Sequence, residues 1–480
     1  MAQKATHSMY WINSAIGLLL MFGIPLLPPV APITEIGMQI GGIFLGALYL
    51  WSTVDIFWPS LVALVALGFT DYADMSSVLQ AFSADVPLLM MFGMILFGAI
   101  SDCGLTQYIA RWFLTRRVMQ GRPAVFSFVM LVAAFFISSF VETMMVMLML
   151  WPTLVVILKQ VGYTAKDAYF KILIIATFIA ATLGQCTLPF IGGQLVILGA
   201  YQEASGISLN YGLYMLFNVV MSLTIMLILT LVIKFVLRPD MRRLKELKFD
   251  ATTQEPLPPM SIVQKIYILV AILFMLVATL PYIIPDCALT DVINRMGLIG
   301  FSFILIALLM FLRIDGKPVL EPSKIRNYVM MDLFVLVTVA IYFSSCLMAE
   351  ETGISDWLLG LMMPVFDGKG ALFFMAALIV TGAVITNFAN NAIMGALLMQ
   401  VIVIIAPSLG IDNTVPLAVT VTMAMFLAVL TPAASPYAAI LHASRDYVST
   451  NDIIKYGSVF IAFSILTYII IGLPVANLIF

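Results

Sequence analysis

The sequence predicts an all-α polytopic membrane protein built from two inverted repeats, and three observations predict it. Hydrophobic residues fill 62% of the 480 positions and charged residues only 10%, against about 25% charged in an average soluble domain. Apolar runs long enough to cross a hydrocarbon core, about 20 residues each, recur from Met9 to Phe480. Helix-breaking and polar residues of the first half return in the same order in the second. A net charge of −2, with no basic patch outside the loops, argues against a nucleic-acid partner. Membrane lipids are the partner that composition implies.

The elements follow from apolar runs and their breakers. A first helix is expected at 10–30; Lys4 precedes it as in a signal peptide, but no small-residue cleavage site follows, so it reads as a retained span. Two spans fall within 37–70, then come 86–102, 123–137, a broken pair at 138–158, 168–188 and 210–237. Residues 238–262 carry Arg238, Arg242, Arg243, Lys245 and Lys248, then Thr-Thr-Gln-Glu-Pro-Leu-Pro-Pro, and read as a solvated cytoplasmic linker. Further spans are expected at 263–284, 294–313, 327–348 and 371–385, then a broken pair at 386–407, then 414–431 and 455–478. The chain thus divides into an N-terminal helix (1–36), a first repeat (37–237), the linker (238–262) and a second repeat (263–480).

The repeat rests on five matches in the same order at nearly one offset, about 247 residues. Asp85 matches Asp332, Gly104-Leu-Thr matches Gly353-Ile-Ser, Phe140 matches Phe388, Pro189-Phe190 matches Pro436-Tyr437, and Tyr211-Gly212 matches Tyr456-Gly457. Charge gives the orientation, because short cytoplasmic loops collect Lys and Arg. Arg111, Arg116 and Arg117 follow the first Gly-Leu-Thr, whereas Glu350, Glu351 and Asp356 surround the second Gly. The copies therefore face opposite sides.

Polar residues inside apolar runs are costly in hydrocarbon, and they gather at four places. These are Ser138-Ser139-Phe140-Val141-Glu142-Thr143, Thr182 to Gln194, Thr386-Asn387-Phe388-Ala389-Asn390-Asn391, and Leu430-Thr431-Pro432-Ala433-Ala434-Ser435-Pro436-Tyr437. Gly, Pro, Asn and Thr suit a helix broken at mid-membrane, where free N–H groups attract an anion and free carbonyls coordinate a cation.

These motifs resemble the divalent-anion:sodium symporters of the wider ion-transporter superfamily. Thr386 to Ala392 is similar to the family's Thr-x-Phe-x-Ser-Asn-Thr, Leu430 to Pro436 resembles its Pro-Val-Ala-Thr-Pro-Pro-Asn, and Gly184 to Gln194 resembles its Gly-rich first-half stretch. Where the family has Ser-Asn-Thr in the first hairpin, this chain has Val141-Glu142-Thr143. The resemblance implies two inverted repeats, each with a re-entrant hairpin and a broken helix, in a homodimer whose transport domain moves like an elevator against a scaffold. It implies a secondary transporter in the cell membrane that moves an organic anion with sodium or protons, and no cofactor beyond a coupling ion such as sodium. It also assigns substrate contacts to Ser139, Glu142, Thr143, Gln194, Asn390, Asn391, Ala392, Thr431, Pro432 and Ser435. Ion contacts fall to Ser138, Glu142, Gly184, Thr187, Asn387, Asn391 and Ala434.

Glu142 is the sharpest of these, since a carboxyl at mid-helix costs about 2.5–3.5 kcal/mol on insertion scales. It could carry a proton or pair with sodium, lie at the hairpin mouth bonded to free amides, or repel a second charge on the substrate. Asn390 and Asn391 could cap the broken helix or touch the ligand. His442 reads as structural, and the Met144 to Met149 run as lipid or core packing. Cys103, Cys186, Cys287 and Cys346 are scattered without metal or disulfide spacing. An ATP-driven pump is disfavoured by the lack of a phosphate-binding loop, and a zinc protease by histidines only at His7 and His442. A channel or a cation/proton antiporter, or a carrier of inorganic or monovalent anions, stays open as an alternative.

Overall fold

The computed structural model describes residues 2–114, 117–246, 259–432 and 434–480. Arg116, Lys248, Ala433 and the Thr-Thr-Gln-Glu-Pro-Leu-Pro stretch of the linker lie outside them. Among the described residues, nine helical segments are long and apolar enough to cross a bilayer, and one further pair is bent by 108°.

The first half runs α1 (Ala2–Gly23), α2 (Glu35–Thr53), α3 (Phe57–Leu67), the short α4 (Met75–Gln80), α5 (Asp85–Asp102), α6 (Leu105–Leu114), α7 (Pro123–Ser138), α8 (Thr143–Gln160), α9 (Ala168–Gln185), α10 (Gln194–Ser205) and α11 (Tyr211–Val232). The second runs α12 (Ile262–Ile283), α13 (Ala288–Phe311), α14 (Met331–Met348), α15 (Ile354–Phe366), α16 (Gly370–Ile385), α17 (Asn391–Ile405), α18 (Val415–Ala424), α19 (Pro436–Ala443), α20 (Thr450–Thr467) and α21 (Leu473–Ile479). A two-stranded turn, β1 (Arg313–Ile314) with β2 (Lys317–Pro318), follows α13. Many starts are set by local chemistry: Thr34, Asp74, Asn210 and Ser261 each accept a first-turn N–H.

The order α5–Gly–α6–α7–α8–α9–α10–α11 returns as α14–Gly–α15–α16–α17–α18–α19–α20. Gly104 and Gly353, with φ of 79° and 65°, make the same left-handed turn after α5 and near the end of α14. The two copies run in opposite directions. Asp102 at the end of α5 bonds Tyr328 ahead of α14, at 3.1 Å, while Val86 at the start of α5 and Ile341 well along α14 both pack on Gly199. One face of the molecule holds Asp102, Lys324, Gly162, Asp167 and Arg243. The other holds the start of α2, where Thr34 bonds Glu351 O at 2.6 Å, and the contact of Tyr201 with Thr414 at 2.6 Å. Described basic residues crowd the first face, including Arg122, Lys159, Lys171, Arg242 and Lys245, and acidic residues such as Glu35, Glu203, Glu350 and Glu351 the second. By the positive-inside rule the first face is cytoplasmic.

Several boundaries differ from expectation. Helices α10, α15 and α19 were not legible as elements: each is shorter than a span, and most of α10 is buried on all sides, so it shows no one-sided period. The span expected at 414–431 stops at Ala424, where the chain opens into the second break. The span expected from 294 begins at Ala288 and kinks at Gly297. Tyr211 opens α11, whereas its sequence match Tyr456 sits in the second turn of α20.

Candidate functional site

Two re-entrant hairpins and two broken segments meet in the interior. The first hairpin, α7 and α8, turns through Ser139–Glu142; the second, α16 and α17, turns through 386–390. The broken segments are the stretch between α9 and α10 and that between α18 and α19.

The first tip has two faces. Toward the break, Ser138 Oγ donates to Val141 O at 3.3 Å and lies 3.5 Å from Thr143 Oγ1. Ser139 Oγ reaches Phe135 O at 3.0 Å and Thr187 Oγ1 at 3.3 Å. Such back-bonding hydroxyls compete with the helical ladder and help end α7 here. Thr143 Oγ1 donates to Gln185 Oε1 at 3.0 Å, and Gln185 Nε2 donates to Tyr437 OH at 3.1 Å, so the network passes into the second repeat. Gln194 Nε2 donates to Gln185 O at 3.0 Å, and its buried Oε1 has no partner among the described residues. Thr187 Oγ1 donates to Asn218 Oδ1 at 3.2 Å, which Ser222 shares at 3.2 Å. Gly184 lets α9 lie against α7: a Cβ there would sit 2.2 Å from Phe135 O.

The other face of that tip looks into water. Phe140, Val141 and Glu142 line a cavity of ≈ 510 Å³ with Asp102, Lys324, Tyr328 and Met330, which opens toward the cytoplasmic face. Glu142 is the residue before α8, in extended backbone (φ −61°, ψ 147°), and its side chain caps no helical N–H. At the cavity mouth Lys324 Nζ lies 3.0 Å from Asp102 Oδ2. Hydrogen bonding to Asp102 and its opposite charge hold the Lys324 ammonium above its usual range.

The second tip is a closed clamp. Asn387 Nδ2 donates to Ala383 O at 2.7 Å and Leu427 O at 3.1 Å, while Oδ1 accepts from Val429 N at 2.9 Å and Leu430 N at 2.7 Å. Its carbonyl accepts from Thr431 Oγ1, and Thr386 Oγ1 donates to Met425 O. Asn387 therefore holds the open backbone of the second break through both ends of its side-chain amide. Asn390 Oδ1 caps α17 through Ala392 N (3.0 Å) and Ile393 N (3.3 Å), and Asn391 Oδ1 accepts from Ala392 N at 2.9 Å. Ser435 caps α19 through Ala438 N at 3.0 Å, Ala434 is buried, and Pro432 is exposed in the turn. His442 Nε2 lies 3.2 Å from Val429 O, on the same break. Ala392 approaches the first break: a Cβ on Gly193 would meet its Cβ at 2.8 Å.

The structure places Ser138, Ser139, Thr143, Gly184, Thr187 and Gln194 around the first tip, and Asn387, Asn390, Asn391, Thr431 and Ser435 around the second. Sequence reading left out Gln185, Tyr437, Asn218, Asp102 and Lys324 as site residues. Asn218 and Ser222, four apart in the apolar α11, carried the same signal as the chosen clusters. Lys324 and Asp102 did not, being 222 residues apart.

A membrane-embedded core of two oppositely directed hairpins around paired breaks defines a secondary transporter, not an enzyme. The chain belongs to the CitMHS family, described as citrate transporters, whose family model matches residues 46–296. This agrees with the superfamily that its hairpin motifs resemble. In three dimensions it is similar to the YdaH transporter of Alcanivorax borkumensis, with a TM-score of 0.59, 16% identity, and coverage of 92% of this chain and 98% of that one. No individually curated protein matches the sequence.

Proposed function

We propose that the protein carries an organic carboxylate, with citrate the first candidate from the family description, across the cell membrane together with sodium or protons. The observation that carries this reading is the cytoplasmic cavity ending on Glu142 at the first hairpin tip. Of its charged lining groups, Asp102 and Lys324 neutralise one another and Glu142 is left over. A free polycarboxylate meets a repulsive wall there unless it brings cations or protons, which favours coupled transport over uniport. The free N–H groups at the start of α8 and the unpartnered Gln194 Oε1 supply, respectively, donors for an anion and an acceptor for a cation. Alternating access follows if the hairpins and breaks, as a transport domain, move like an elevator against a scaffold that includes α2 and α3, in a homodimer.

The test is uptake of labelled citrate, succinate and a monocarboxylate into proteoliposomes, with sodium and pH gradients imposed separately. Saturable uptake driven by one gradient is expected. Sodium-for-proton exchange without any carboxylate uptake would instead select the cation/proton antiporter.

A further inference from the structure

We propose that a basic pocket at the cytoplasmic edge of the membrane binds the phosphate of an anionic phospholipid headgroup. The pocket, ≈ 640 Å³, is lined by Arg122, Lys234, Arg238, Arg242 and Lys245, with Asp240 as its single carboxylate. Two elements build it: the first turn of α7, with Pro123 in its opening position, and the widened π turn Ile233–Leu237 that prolongs α11. Arg238, in the left-handed region at φ 45°, turns the chain out of that helix and points its Nε back to Phe235 O at 2.6 Å.

Three features select a lipid phosphate. First, none of the five cations forms an ion pair with a carboxylate among the described residues, whereas the adjacent Arg243 is held by Asp167 at 3.3 Å. Second, Asp240 is occupied with the backbone, accepting from Arg242 N at 3.0 Å. Third, the depth is that of headgroups: Tyr211–Leu237 is a membrane span, and Phe235 and Val236, beside Lys234, are 54% and 53% exposed. Apolar side chains facing acyl chains on the same turn as cations facing water mark the interface. A phosphate held there carries its acyl chains along Phe235 and Val236.

The consequence is mechanical. Arg122 is the root of the hairpin whose tip bears Glu142, and Lys245 sits in the segment after α11; a headgroup between them ties the two together. Binding does not depend on the identity of the transported solute, so it is tested apart from transport. Purified full-length protein is titrated with short-chain phosphatidylglycerol, phosphatidylcholine or inorganic phosphate, read by native mass spectrometry and thermal shift. Phosphatidylglycerol should bind and stabilise, and each cation removed should weaken binding about fivefold, so that R122Q/R242Q/K245Q loses about 100-fold. Arg122→Lys with Arg242→Lys should keep most of it, separating charge from folding. Wild-type protein that prefers phosphatidylglycerol no more than phosphatidylcholine overturns the proposal. Inorganic phosphate binding as tightly as the lipid overturns it in favour of a soluble anion.

Discussion

The two hairpin tips occupy equivalent places and are built to opposite ends. The second tip spends its polar groups on the protein: Asn387 alone satisfies three backbone groups of the neighbouring break and the Ala383 carbonyl of its own helix, and Asn390 closes the start of α17. The first tip is left partly unspent, with Glu142 capping nothing and facing the cavity. Duplication supplied one architecture, and the polar residues then divided the labour. One tip fixes an open backbone in a medium that cannot hydrate it; the other presents a carboxyl to the cavity. Even the aromatic neighbours differ, since Phe388 is 68% exposed while Phe140 is half-buried in the cavity wall.

Breaking each tip should therefore give different phenotypes. Glu142→Gln should abolish cation-driven accumulation of substrate while leaving thermal stability near wild type; ion dependence that survives the change would make Glu142 structural. Asn387→Ala should act on folding. It strands two buried N–H groups and two carbonyls, at about 1–3 kcal/mol for each group left unsatisfied, and a large fall in the unfolding midpoint in detergent is the expected result. An unaltered midpoint would remove the distinction drawn between the tips. Lys324→Gln should raise the KM for an anionic substrate about fivefold because it leaves the Asp102 carboxylate uncompensated at the cavity mouth, with stability changed by less than about 1 kcal/mol because the Asp102 pair is half exposed. Asn390→Ala sharpens the comparison most finely, costing about 1 kcal/mol as a lost cap and leaving coupling intact.

How far these features were legible depended on whether their cause was local. Both breaks announced themselves, because a helix interrupted in hydrocarbon needs Gly, Pro, Asn or a hydroxyl close in sequence, as at Thr386-Asn387 and Thr431-Pro432. Opposed orientation was legible too, in the charges beside Gly104 and Gly353. Helices α10, α15 and α19 were not, since an apolar segment too short to span shows neither a membrane length nor an amphipathic period. The role of Asn387 depended on where Val429 and Leu430 fall, and the cavity mouth on a meeting of Asp102 with Lys324; distance along the chain hid both.

Tyr437 from one repeat completes the Thr143–Gln185 chain of the other, and Ala392 closes on Gly193 in the opposite sense. Neither half thus contains a finished centre. Were the gene cut within the linker and the two fragments produced as separate polypeptides, activity should return only when both are present in the same bilayer, and a defect at Gly193 in one fragment should be rescued, if at all, by reshaping its counterpart in the other.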